Sequence, residues 1–317
     1  MKIVITRKLP YDVNNAFDGH RVEYNSNDEV LSPIRLRQMI TDADAIITTP
    51  ADIIDRVTLE SAQRLQIIVN YAVGYDNIDI EYAKQRGILV CTTQNVLTQS
   101  TAELGFSLLL ATSRRIVEGD KLIRTGKFTG TTPNMLLGAE LHKKTIGFYG
   151  MGNIGQAMAK IATGFSMDII YHNRNRNYQA ELLLGATYAT FDELLEWSDF
   201  LVITAPLTEE TKHKFTLNEF RKMKKNSILV NIGRGAIIKE SDLASALKEE
   251  LIFGAGLDVY ENEPIVNDLL KNMDNVILLP HIGSATYKAR SDMAKMCIDT
   301  VLEYLEQNII PKNCINR

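Results

Sequence analysis

Lys144-Thr145-Ile146-Gly147-Phe148-Tyr149-Gly150-Met151-Gly152-Asn153-Ile154-Gly155 runs without a gap into Gln156-Ala157-Met158-Ala159-Lys160. A short apolar run that suits a buried strand is followed by three glycines spaced G-x-G-x-x-G and then by a helix-forming segment. Each glycine has its own duty in such a turn. Gly150 permits the tight bend, Gly152 lets backbone approach a pyrophosphate, and Gly155 lets helix and strand pack closely. The first amides of the helix face the anion. The stretch predicts a strand-turn-helix unit that holds a dinucleotide.

The same alternation extends outward in both directions. Apolar runs at 3–5, 45–47, 67–69, 88–90, 145–149, 168–171, 200–203, 228–230, 256–259 and 276–279 read as buried strands. Longer stretches with helical spacing lie between them, three of them opening on a capping-box pattern: Ser100-x-x-Glu103, Thr190-x-x-Glu193 and Thr216-x-x-Glu219. Strand and helix in alternation imply parallel sheets covered on both faces, the doubly wound α/β arrangement. Ten strands in one twisted sheet would stand at the upper limit of what is usual, so two sheets are expected. We place the boundary near residues 95–99, with an apolar helix at about 100–113 opening the second domain. The part before it has only four clear strands, so the last helix, about 288–308, is expected to return and cover it. Residues 119–144, with four glycines and Pro133, read as an arm.

A chain of 317 residues is about two domains long. Hydrophobic residues make up 45% and charged residues 23%, as in a folded globular protein. With 35 basic against 39 acidic residues and a net charge of -4, no basic excess or patch suits a phosphate backbone, so no nucleic acid partner is expected. Cys91, Cys297 and Cys314 match neither metal-ligand spacing nor a disulfide framework, which suggests a reducing compartment. No metal is expected. The opening residues 2–6 read as a strand, with no apolar signal stretch, and residues 104–111 are too short to span a bilayer. A cytoplasmic protein with no membrane partner is the expectation.

The strand after the glycine loop ends in Tyr171-His172-Asn173-Arg174-Asn175-Arg176. A site selective for NAD would place an acid on the ribose 2'-hydroxyl there, roughly 20 residues beyond the glycines. No acid is present, and Asp168 is at the wrong end of the strand. Arg174 and Arg176 suit a 2'-phosphate through forked, charge-assisted hydrogen bonds, with Asn173 beside them. NADP(H) is therefore the preferred cofactor, with NAD(H) possible.

Three more polar groups follow apolar runs: Asn231-Ile232-Gly233-Arg234-Gly235, Asp258-Val259-Tyr260-Glu261-Asn262-Glu263-Pro264, and Pro280-His281-Ile282-Gly283-Ser284. Singly, Arg234 reads as a surface charge, Glu263 as a loop carboxylate and His281 as a structural histidine. All three groups fall at carboxyl ends of strands, the edge where open parallel sheets bind ligands, so Arg234, Asp258, Glu263 and His281 can converge.

With these segments, together with Ala72-Val73-Gly74-Tyr75-Asp76-Asn77-Ile78-Asp79, Thr101-Ala102-Glu103-Leu104 and Ala205-Pro206-Leu207-Thr208, the chain resembles the D-isomer-specific 2-hydroxyacid dehydrogenase family, and within it the glyoxylate and hydroxypyruvate reductase branch. The resemblance spans almost the whole length. It implies two doubly wound parallel-sheet domains. One is a smaller flavodoxin-like substrate domain made of residues 1–97 plus 287–317, and the other a Rossmann cofactor domain over 98–286 with the dimerisation arm at about 119–144. It also implies an active cleft at their hinge and a homodimer. Carried over by position, Arg234, Glu263 and His281 resemble the catalytic set. His281 would be the acid that protonates the carbonyl oxygen of a 2-keto acid, Arg234 the carboxylate holder, and Glu263 the group that orients the imidazole and favours its protonated form. Val73 and Gly74 would give amides to the substrate carboxylate. Asn153 and Ile154 would cover the pyrophosphate, Pro206 would wall the adenosine pocket and Asp258 would meet the nicotinamide carboxamide. Thr101, Ile232 and Ser284 would complete the nicotinamide side.

The function that follows is NADPH-preferring reduction of small 2-keto acids, glyoxylate or hydroxypyruvate first, to glycolate or D-glycerate. Relatives acting on hydroxypyruvate often carry tryptophan in the arm, whereas residues 128–137 here offer Phe128 and Met135, which leaves substrate size open. A 2-ketogluconate reductase and a dinucleotide-sensing, corepressor-like protein are the competing readings. Formate oxidation is disfavoured, because that branch has glutamine where Glu263 stands.

Overall fold

Ile146 and Phe148 face one side of their strand and Gly147 and Tyr149 the other, and all four are buried. A strand covered on both faces requires helices above and below its sheet, which parallel crossovers provide. The computed structural model describes residues 1–317, the side chain of Asn14 excepted, and forms two units, Met1–Leu97 with Ser284–Arg317, and Thr98–Gly283. Each unit is built on its own all-parallel sheet.

The larger unit holds seven strands: β6 (Thr145–Tyr149), β7 (Asp168–His172), β8 (Thr187–Tyr188), β9 (Phe200–Ile203), β10 (Ile228–Asn231), β11 (Gly254–Leu257) and β12 (Val276–Leu278). Their order is β12-β11-β10-β9-β6-β7-β8. The chain starts at β6, winds outward to β8, then crosses back to β9 on the other side, so β6 and β9 flank the point where the winding reverses. Tyr149 lies level with both His172 and Ile203. Gly150, Asn173 and Thr204 therefore leave the sheet side by side. One face packs Ile146, Phe148, Tyr171 and Val230 against the helices Thr98–Ser113 and Asn153–Thr163; the other packs Tyr149, Leu201, Phe215 and Leu243. Each such buried side chain contributes about 1.5–3 kcal/mol relative to exposure.

The smaller unit holds β1 (Lys2–Ile5), β2 (Arg21–Tyr24), β3 (Ala45–Thr48), β4 (Ile67–Asn70) and β5 (Leu89–Thr92) in the order β2-β1-β3-β4-β5. The helix Tyr287–Gln307 covers one face, with Ala294, Cys297, Ile298 and Val301 set against Ile3, Ile5, Ile67 and Val69. Two doubly wound parallel-sheet units are thus present, as the alternation of strand and helix predicts.

The structure adds two strands to the ten expected, β2 and β8. β2 is an edge strand whose Arg21 is exposed and whose Val22, Glu23 and Tyr24 are half-buried, and β8 has two residues. Neither leaves an apolar run. The capping boxes at Thr190 and Thr216 are present, each with the glutamate three residues on accepting from the threonine N–H and hydroxyl. The box at Ser100 is not. The helix begins at Thr98, which puts Ser100 inside its first turn, and Glu103 accepts from Gln99 instead.

Candidate active site

The glycine loop leaves β6 at the reversal point of the winding. Gly150 has φ +106°, a conformation that side chains disfavour, and a Cβ on it would meet the Ala205 nitrogen at 2.6 Å. A Cβ on Gly155 would meet the Gly150 carbonyl oxygen at 2.5 Å, so helix and turn close on each other only without one. A Cβ on Gly152 would meet nothing within 4 Å. That open space, at the amino end of the helix Asn153–Thr163, is the cradle a pyrophosphate needs, and the residues present fit a dinucleotide. Gly152 and Asn153 are exposed, Ile154 is half-buried, and Pro206 is exposed at the foot of the loop after β9.

At the end of β7, the Asn173 side chain accepts a hydrogen bond from the Met151 amide at 2.6 Å, which ties the turn to the neighbouring strand. Arg174 is exposed, with Glu210 at 3.9 Å. Arg176 differs. Its guanidinium donates to both oxygens of Glu181, at 3.0 and 2.8 Å, and lies over the rings of Tyr178 and Tyr188.

The three later motifs come together on the β10, β11 and β12 side. Buried Asn231 organises the Arg234 loop, accepting from the Gly233 amide at 3.0 Å and donating to the Arg234 carbonyl at 3.0 Å. The guanidinium of Arg234 donates to the Gly233 carbonyl at 2.9 Å. His281 Nδ1 lies 2.8 Å from Glu263 Oε2. Burial pushes the Glu263 carboxyl up, but the His281 hydrogen bond and charge, the Tyr260 amide and the Arg234 charge together hold it below the ordinary carboxylate range. The pair is therefore arranged for a carboxylate beside a donor imidazole.

Asp258, 1% exposed, accepts from the Ile282 and Gly283 amides, both at 2.8 Å. Its carboxyl is raised, first by burial and against the pull of those amides. The resemblance gives Asp258 a carboxamide to hold; here its oxygens clamp the two residues after His281. Thr101 and Ile232 are buried in the same unit, and the space a Cβ on Gly283 would take lies 3.1 Å from Thr101. In the smaller unit, Val73 is exposed and Gly74 half-buried after β4, where the Asn70 amide donates to the Gly74 carbonyl at 2.7 Å. Ser284, half-buried, belongs to that unit.

Sequence reasoning passed over Tyr260. Its amide donates to Glu263 Oε1 at 3.0 Å, and its hydroxyl donates to the Leu279 carbonyl at 2.8 Å, the same oxygen that accepts from the His281 amide at 3.1 Å. A Cβ on Gly235, next to Arg234, would fall on the Tyr260 backbone at 1.8 Å. One residue thus touches the supports of all three candidate groups. Its place three positions before Glu263 was the only local signal. Also unforeseen is His213, 2.7 Å from Glu261, whose second oxygen accepts from the Glu240 amide at 3.0 Å.

A family model described as D-isomer specific 2-hydroxyacid dehydrogenase, NAD binding domain, matches residues 106–283. The chain is 44% identical over 321 residues to the glyoxylate reductase of Pyrococcus furiosus, a match that covers 100% of this chain and 95% of that one. It is likewise 44% identical to the glyoxylate reductase of Thermococcus litoralis, over 100% of this chain and 97% of that one. Among solved structures, the NADPH-dependent glyoxylate/hydroxypyruvate reductase of Sinorhizobium meliloti, in complex with NADP and malonate, superposes with a TM-score of 0.87 at 28% identity, over 99% of this chain and 96% of that one.

Proposed function

This chain belongs to the D-isomer specific 2-hydroxyacid dehydrogenase family and is an NAD(P)-dependent oxidoreductase of 2-keto acids, and on that premise we propose that it prefers NADPH and reduces glyoxylate and hydroxypyruvate to glycolate and D-glycerate. The observation that carries this reading is the His281–Glu263 contact at 2.8 Å with the charge of Arg234 acting on the same carboxylate. A bound reduced nicotinamide supplies the hydride for the carbonyl carbon. His281 presents Nε2, the ring nitrogen turned from Glu263, and gives its proton to the carbonyl oxygen. Glu263, held as the carboxylate, keeps the imidazole oriented. Arg234 pairs with the substrate carboxylate through its planar fork and polarises the adjacent carbonyl.

We assign residues 98–286 to dinucleotide binding and residues 1–97 with 287–317, including Val73 and Gly74, to the substrate, which Ser284 also meets from the end of the dinucleotide-binding range. Arg174 carries the NADPH preference. Its exposed pairing with Glu210 is of the kind worth little, so a 2'-phosphate can displace it, whereas Arg176 is engaged with Glu181. We further propose a cytoplasmic homodimer joined through the arm at 119–144.

The test is a keto-acid panel read by nicotinamide absorbance with NADPH and with NADH. Steady NADPH consumption with glyoxylate or hydroxypyruvate is expected. A preference for 2-ketogluconate would move the substrate assignment, and dinucleotide binding without turnover across the panel would favour a sensor over an enzyme.

A further inference from the structure

The three cysteines lie far apart along the chain, yet the smaller unit gathers them into one apolar cluster. Cys91 is on β5, Cys297 on the helix Tyr287–Gln307 and Cys314 on the tail that follows it; all three are buried as free thiols. Cys91 and Cys314 are also partners in an antiparallel bridge. The Thr92 amide donates to the Asn313 carbonyl at 3.2 Å and the Ile315 amide to the Val90 carbonyl at 2.8 Å, so these bonds flank the pair and do not join it. That makes it a non-hydrogen-bonded antiparallel pair, whose Cα atoms lie about 4.5 Å apart with side chains on one face. Disulfides span Cα separations of about 4.4–6.8 Å.

The register of the tail is pinned. Asn316 accepts from the Val90 amide and donates to the Ile88 carbonyl, both at 2.8 Å, and Asn313 donates to the Thr92 carbonyl at 2.9 Å. A slip by one residue would lose these bonds and turn Cys314 to the other face. The Cys91 thiol is held protonated first by burial and then by the Cys314 sulfur beside it.

We propose that Cys91 and Cys314 form a reversible dithiol–disulfide pair that fastens the tail to the edge of the smaller sheet, a modification site separate from the hydride chemistry. The oxidant is a low-molecular-weight disulfide. Cys314 reacts first, being 9% exposed against 0% for Cys91. Its thiolate attacks one sulfur of the reagent, forming a mixed disulfide and expelling one reagent thiolate. The Cys91 thiolate then attacks the Cys314 sulfur, which forms the protein disulfide and expels the second thiolate. The two cysteines lose two electrons and two protons, and the reagent leaves as two thiols. Cys297 has no such bridge partner among the described residues and stays free.

The full-length protein is treated with glutathione disulfide under native conditions, with a parallel sample in mild urea to loosen the tail. Peptides are then mapped without reductant. The expected product links the Cys91 and Cys314 peptides, leaves Cys297 free, raises Tm by several degrees and reverts with dithiothreitol. Cys297→Ser should behave as the parent does, and Cys314→Ser should lose both the link and the Tm rise. A link through Cys297, a lasting glutathione adduct on Cys314 beside a free Cys91, or three unreacted thiols in both samples would each overturn the proposal. Should Cys314→Ser fail to fold, the peptide map of the unsubstituted protein decides the matter alone.

Discussion

His281 has φ +54°, a backbone region that residues other than glycine seldom occupy, and it is held there from both sides. Before it, the Leu279 carbonyl is gripped by the Tyr260 hydroxyl; after it, Asp258 grips two successive amides. Such a frame suits an imidazole that must present one nitrogen in one direction. His281→Asn should lower kcat by about 100-fold or more while dinucleotide binding, read by calorimetry, persists. Near-normal turnover would remove His281 from its role. The pair also has a signed pH dependence. Glu263 is held below the ordinary carboxylate range, so it stays a carboxylate beside His281 at neutral pH, and activity should fall as pH drops through its lowered titration and the orienting contact is lost. Glu263→Gln removes the titrating carboxyl and keeps an acceptor, so this acid limb of kcat/KM should disappear. A profile that stays in place would leave Glu263 a packing role only. Arg174→Ala should raise KM for NADPH far more than for NADH; equal changes would contradict the 2'-phosphate assignment.

At the scale of elements, the strand-turn-helix unit at 145–163 works because its glycines answer different demands. Gly152 has an ordinary φ of -80° and open space where a side chain would go. Gly152→Ala should therefore melt as the parent protein does, yet bind NADPH at least about tenfold more weakly, because the methyl group fills the anion cradle. Gly150→Ala should lower Tm, since both its φ and the Ala205 backbone oppose a side chain. If both variants melted alike and bound alike, the cradle would be elsewhere. Capping boxes show the reach of local reading. Thr190 and Thr216 stand at true helix starts, whereas Ser100 has the same pattern within a helix that starts earlier.

At the scale of the whole molecule, the arm and the helix turn just before it leave several large apolar side chains uncovered. Ile116, Val117, Ile123, Phe128 and Leu137 are each more than 40% exposed, and a patch of this kind marks a contact with another protein surface. Light scattering should give twice the chain mass, and Ile123→Asp with Phe128→Asp should give the chain mass alone without loss of fold by circular dichroism. A monomeric parent protein would end the homodimer assignment. Among the described residues, no helix is long and apolar enough to cross a membrane.

Much of the fold was legible before any coordinates, because its signals are short-range. Apolar runs, glycine spacing and two of the three capping boxes each depend on residues within a few positions of one another, and they were enough to show two doubly wound sheets and the dinucleotide turn. The resemblance of motifs at the strand ends named the candidate groups. Tertiary structure alone decided which groups meet. His281 finds Glu263 across 18 residues, Asp258 takes the amides after His281, Arg176 goes to Glu181 while Arg174 stays exposed, and Cys314 is paired with Cys91. Contacts like these follow from the order and register of strands. Those are set by the burial of whole faces and by chain closure over long spans, and no stretch of neighbouring residues records them.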